Sequence, residues 1–143
     1  MKEQNDGWQI RSFNGKEAEL AYLYFNTMIF KKLQDMGVNG YDLFKAQLIF
    51  DEALTNAFRH GINYQEEKFV EIKHRINNRG VLEVFVKYVG EGFDLSRIPD
   101  CKKEENLEKL NGRGICLMKE LSDKLEYKEK GNIIYFKIDC NIE

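Results

Sequence analysis

Two stretches of the chain, FVEIKHRI (Phe69–Ile76) and VLEVFVKY (Val81–Tyr88), alternate apolar with polar residues and are separated only by Asn77, Asn78, Arg79 and Gly80. Alternation with a period of two is the pattern of a strand with one buried and one wetted face. A short connector rich in Asn and Gly between two such strands reads as a hairpin. Val70, Ile72, His74 and Ile76 then share one face of the first strand, and Leu82, Val84, Val86 and Tyr88 share one face of the second. An isolated hairpin is only marginally stable in water, so this apolar face calls for more strands beside it and a second layer over it.

The rest of the chain supplies both. WQIRSF (Trp8–Phe13) alternates in the same way, and KLEYKE and IIYFKIDC near the end read as a strand pair joined at Gly131 and Asn132. Asn14 precedes a helix, with Glu17 three residues on as in a capping box. Leu20, Leu23, Tyr24, Met28 and Phe30 are the apolar positions of that helix, and Gly37 ends it. A second helix is expected from near Asn39 to His60, stopped by Gly61, with Leu43, Ala46, Phe50, Ala53 or Leu54, and Ala57 as its apolar stripe. A third runs from about Gly114 to Leu121. With Lys, Glu and Arg gathered on the opposite strand face, the expected architecture is a two-layer α+β sandwich. It has a mixed or antiparallel sheet with one wetted face and three helices on the other. The length of 143 residues suits one domain, 1–143, large enough to bury a core without staples.

Charge and composition narrow the function classes. The net charge of −2 gives no nucleic-acid footprint and no polybasic membrane patch. No apolar run approaches the length of a membrane span, and MKEQNDGWQI has no apolar signal-peptide core, so a cytoplasmic location is expected. Cys101, Cys116 and Cys140 form no CxxC pair and leave an odd count, which reads as free thiols in a reducing compartment. Cys101 falls in a charged connector, where an inert surface thiol is the simple reading and a redox role the alternative. His60 and His74 have no ligand spacing around them.

Three polar stretches could carry chemistry. In DEALTNAFRHG (Asp51–Gly61), Glu52, Asn56 and His60 recur every fourth residue on one helix face. A solvated face is the plain reading. Against it, the stripe is flanked by dense apolar positions, and Asn is a poor helix former. GEGFD (Gly90–Asp94) follows a strand, where a glycine pair often marks no more than a turn. NGRGICLM (Asn111–Met118) opens a helix with glycines, which suits either a loop or an anion held on free backbone N–H groups. Between the last two lies LSRIPDCKKEENLEKL, a connector of the length usually seen in lids or disorder.

Their order is polar helix, strand, glycine turn, long connector and glycine-opened helix. Over nearly the whole chain it resembles the GHKL, or Bergerat-type, ATP-binding fold. Within that fold it is similar to the small bacterial anti-sigma-factor serine/threonine kinases. DEALTNAFRHG resembles that family's E-A-x-T-N-A-x-x-H-G box. GEGFD resembles its first glycine box, and PDCKKEENLEKLNGRGICLMKELSD its lid and second glycine box. No histidine-phosphotransfer helix pair accompanies them, which disfavours a complete sensor histidine kinase.

The resemblance implies roles residue by residue. Glu52 matches the general base that takes the proton of an attacking serine or threonine hydroxyl. Asn56 matches the ligand of the Mg²⁺ that bridges the ATP phosphates, a metal that takes few protein ligands. Gly90 and Gly92 match the glycines that pass close to adenine. Gly112 and Gly114, with Arg113 between them, match those that cradle the phosphates, and residues 94–111 match the ATP lid. Tyr88 stands where the family has an aspartate that reads the adenine amino group. It is a neutral, larger side chain on the inward strand face, able to accept one hydrogen bond or to fill the adenine slot. Two functions follow as expectations. The first is an anti-sigma-factor-like regulator with ATP-dependent serine/threonine kinase activity, in contact with a sigma factor or a STAS-type anti-sigma antagonist and able to pair as a homodimer. The second is a module of the same fold that no longer binds ATP and regulates by protein–protein binding alone.

Overall fold

The computed structural model describes residues 7–89, 110–128 and 132–143. Its sheet has five strands: β1 (Gln9–Asn14), β2 (Phe69–Ile76), β3 (Val81–Tyr88), β4 (Lys124–Lys128) and β5 (Ile133–Asp139). They lie in the order β1-β2-β3-β5-β4, and every neighbouring pair is antiparallel. The β2–β3 register sets Val70 opposite Tyr88, Ile72 opposite Val86 and His74 opposite Val84, so the two apolar sets fall on one face. The connector closes with Gly80 at φ +87°.

Among the described residues, three helical rods cover that face. The first is α1 (Ala18–Tyr24), a π-helical segment (Phe25–Phe30) and α2 (Lys31–Asp35) in unbroken succession. The second is α3 (Gly40–Thr55), continued by a π-helical segment (Asn56–Gly61). The third is α4 (Leu110–Leu121). Local chemistry sets their ends. The Glu17 carboxylate accepts the Asn14 N–H at 2.8 Å, which is half of the expected capping box. Gly37, at φ +86°, and Val38 donate back to Gln34 and Leu33 in a Schellman turn. The Asn39 side chain caps α3 by accepting the Asp42 N–H at 2.8 Å.

The core joins sheet and helices through Phe13, Phe25, Phe50, Phe58 and Phe136, with Phe25 stacked on Phe50 at 4.2 Å between centroids. The first rod presents a different face from the one expected. Ala21, Phe25, Ile29 and Leu33 are buried, whereas Leu20, Leu23 and Met28 are exposed and Tyr24 and Phe30 are only partly buried. Four-residue steps drift around an α-helix of 3.6 residues per turn. The wider i→i+5 turn of the π segment takes back that drift and keeps the buried set in line.

The cysteine expectation needs correction as well. Cys116, buried on α4, is disulfide-bonded, and Cys140 is free and buried. Pairing depends on how near two Cα atoms come in the fold, which spacing along the chain does not reveal. Burial pushes the Cys140 thiol up to about 12, as expected for an inert structural cysteine.

Candidate functional site

The second rod begins beside the chain's last residues, where Asn39 N–H donates to the Asn141 carbonyl, and its π-helical segment ends at Gly61, beside the last residue of β3. This course carries Glu52 and Asn56 toward the end of the sheet where β3 stops and β5 starts. Glu52 and Asn56 are both half-buried at the junction where α-helix turns to π-helix, and His60, one turn on, is exposed. π segments inside helices recur at functional sites. One helical turn, about 6 Å of rise, separates the carboxylate from the amide.

Two neighbours missed by the sequence reading brace this turn. The Tyr22 hydroxyl on α1 lies 3.0 Å from Thr55 Oγ1 and donates to the Asp51 carbonyl at 3.4 Å. Burial raises the Tyr22 pKa against the lowering effect of the Thr55 hydrogen bond, and the Asp51 charge adds to the rise. Burial also raises the pKa of Asp51, next to Glu52. Tyr22 had no signal in the sequence beyond its place one helical turn after Ala18, and Asp51 was passed over as a flank of the box.

The region around Tyr88 is built differently. Tyr88 is 8% exposed, and its ring lies against Gly61: a methyl group on Gly61 would come 2.8–2.9 Å from three carbons of that ring. Gly61 therefore does more than end the helix; its missing side chain makes room for the phenol. The Tyr88 backbone is fixed by Asn132, since Tyr88 N–H donates to the Asn132 carbonyl at 3.0 Å and Asn132 Nδ2 donates to the Tyr88 carbonyl at 3.2 Å. Burial raises the pKa of Tyr88 and pushes that of Tyr127 up to about 12, with the Tyr88 phenol contributing to the latter. Both are neutral hydroxyls at any physiological pH.

The other expected site residues divide in two. Gly90, Gly92 and lid residues 94–109 lie outside the described residues. Gly112, Arg113 and Gly114 lie within α4, which starts at Leu110 and so takes in the last two residues of the expected lid. The helix begins four residues earlier than the glycines suggested. Glycine costs about 1 kcal/mol in a helix interior, and burial of Cys116 and Met118 on the same helix outweighs that preference. The N–H groups without an intrahelical acceptor are those of the first turn, which includes Gly112; Gly114 lies beyond it.

The residues present fit the two ends of a nucleotide unequally. A half-buried carboxylate and amide one turn apart are a donor set that can meet a metal ion and its phosphates. At the position expected to read adenine, a phenol pressed against Gly61 occupies the space next to the backbone. The family model described as histidine kinase-like ATPase domain matches residues 17–138. No curated protein matches the chain significantly. Among the described residues, no helix is long and apolar enough to cross a membrane.

Proposed function

We propose, from the premise that this chain belongs to the histidine kinase-like ATPase domain family, that it is an anti-sigma-factor-like regulator with ATP-dependent serine/threonine kinase activity. The observation that carries this reading is the pairing of Glu52 and Asn56, half-buried one turn apart where α3 turns to π-helix. In this reading Asn56 holds Mg²⁺, which supplies charge neutralisation at the phosphates. Glu52 would accept the proton of a serine or threonine hydroxyl on a STAS-type antagonist, and a sigma factor or another regulator is the partner the protein would hold. Catalysis of this kind is largely positioning and electrostatics. The Tyr22 hydroxyl, tied to Thr55 and the Asp51 carbonyl, fixes the turn that carries both residues.

A second reading is favoured by one specific contact, that of the Tyr88 ring with Gly61. With the adenine slot filled by the chain's own side chain, the fold would serve as a protein-binding module that regulates by partner exchange. Calorimetric titration with Mg·ATP, comparing the unmodified chain with Tyr88→Asp, separates the two. Micromolar binding by the unmodified chain supports the kinase, and loss of phosphoryl transfer to an antagonist in Glu52→Ala would then assign the base. Absent binding that Tyr88→Asp restores supports the module and removes the kinase reading.

A further inference from the structure

A second polar cavity lies toward the other end of the sheet from Gly61. It is lined by Gln9, Met28, Lys32, His74, Arg75 and Ile76, and has a volume of about 90 Å³. That is room for several waters or one small polyatomic ion. None of these lining residues is acidic. Arg75 is already paired with Glu83 at 2.7 Å and lies over the Trp8 ring at 4.2 Å. Lys32 makes no ion pair among the described residues, although its neighbour Lys31 is paired with Asp35. Close by, Arg11 lies over the Phe13 and Tyr24 rings and Lys73 over those of Trp8 and Phe85, so aromatic faces rather than carboxylates meet these two cations.

His74 forms the wall of the cavity. It is 4% exposed, and its Nε2 lies 2.7 Å from the Tyr24 hydroxyl. When that hydroxyl donates, Nε2 is the acceptor and Nδ1 carries the ring hydrogen. Nδ1 has no hydrogen-bond partner among the described residues. A donor on a buried neutral ring, an unpaired ammonium and a primary amide thus meet around one small space, with Met28 and Ile76 as apolar flanks. Of the polar side-chain groups of Gln9, Lys32 and His74 named here, all but the Gln9 amide oxygen are donors, which suits an acceptor-rich ligand.

We propose that this cavity is a binding site for a small oxyanion, the phosphate or carboxylate group of a small molecule, held by Lys32, His74 and Gln9. The site is independent of the Glu52 region and does not rest on the function proposed above. The chain has two histidines, so the imidazole nitrogen signals of His74 can be followed with exposed His60 as an internal control. The test is a titration of the labelled protein near neutral pH with sodium phosphate and, separately, sodium acetate, each against sodium chloride at matched ionic strength. The expected result is a saturable shift of the His74 signals with at least one oxyanion while those of His60 stay still. Tighter phosphate assigns a phosphate group and tighter acetate a carboxylate. Lys32→Met, an exposed and well-tolerated change, should weaken the affinity about tenfold or more, as loss of a charge-assisted contact does. The proposal is overturned if neither oxyanion saturates the His74 signals, if chloride does so equally, or if Lys32→Met binds as the unmodified chain does.

Discussion

Lowering the pH should unfold this protein through one buried histidine. His74 is 4% exposed, and its pKa is lowered from 6.5 to about 4, by burial first and by the nearby Lys32 charge second. In the unfolded chain the ring takes up a proton near pH 6.5; in the folded chain it does so only near pH 4. Between those values the unfolded state holds the extra proton, so stability falls as pH falls across this window and levels off below it. A gap of this size at about 1.4 kcal/mol per pH unit gives a loss of about 3 kcal/mol, a large fraction of a typical domain's stability. Carboxylates also titrate at the lower end, so the measurement is a difference. Urea unfolding at several pH values between 7.5 and 4 would be compared for the unmodified protein and His74→Gln, which has no titrating group at this position. The unmodified protein should lose about 3 kcal/mol more than the variant between pH 7 and pH 4. Parallel pH profiles for the two proteins would refute the reasoning, because His74 would then be charged in the fold at no cost.

Three further substitutions probe contacts on which the fold depends. Gly61→Ala places a methyl group within 2.9 Å of the Tyr88 ring and should cost about 1–3 kcal/mol in urea unfolding; Gly61→Ala combined with Tyr88→Ala should recover part of that loss. Gly15→Ala drives a Cβ into the backbone of Tyr64 and Gln65, where Asn63 and Tyr64 already adopt φ of 51° and 55°, so it should fold poorly, as read by soluble yield and thermal melting. Asp42 is buried and accepts from Asn141 N–H at 2.7 Å and Asn39 Nδ2 at 3.1 Å, with Lys45 at 3.4 Å. Asp42→Ala removes these contacts and leaves Asn141 N–H without its acceptor, and should cost about 3 kcal/mol in urea unfolding.

The parts of the structure that were legible in the sequence are those set by local rules. β2 and β3 start and stop where the alternation does, because one-face burial has a period of two. Asn39 and Gly37 mark helix ends through capping chemistry that involves only a few neighbouring residues. The buried face of the first rod was not legible. It is decided by a π segment that no residue type announces, and large exposed residues such as Leu20 and Leu23 conceal a core set that begins with Ala21. The Cys116 pairing was hidden for a similar reason, since it depends on distance in the fold. In the candidate site, spacing put Glu52 and Asn56 on one helix face, and the family resemblance singled them out. Gly61 was visible only as a helix stop, because a glycine that ends a helix and a glycine that makes room for a ring are the same residue in the sequence.

The two ends of the candidate site rest on different elements, Glu52 and Asn56 on the second rod and Tyr88 on β3, so one can be lost while the other persists. That makes Tyr88→Asp an informative reversal, provided its side effect is separated from its intended one. Replacing the phenol removes a ring that fills the space over Gly61 and puts a carboxylate at a position that is only 8% exposed. Cavity formation and carboxylate burial together should lower stability by about 3 kcal/mol or more. A nucleotide that takes the vacated space restores stability through linkage, by about 2.7 kcal/mol at a hundred times its dissociation constant. Thermal melting of Tyr88→Asp with and without Mg·ATP should therefore show a low melting temperature that rises steeply with the nucleotide, while Tyr88→Phe, which keeps the ring, should show no such rise. A Tyr88→Asp protein that is destabilised and gains nothing from Mg·ATP would mean that the ring is structural packing and that the space beneath it was never a nucleotide slot.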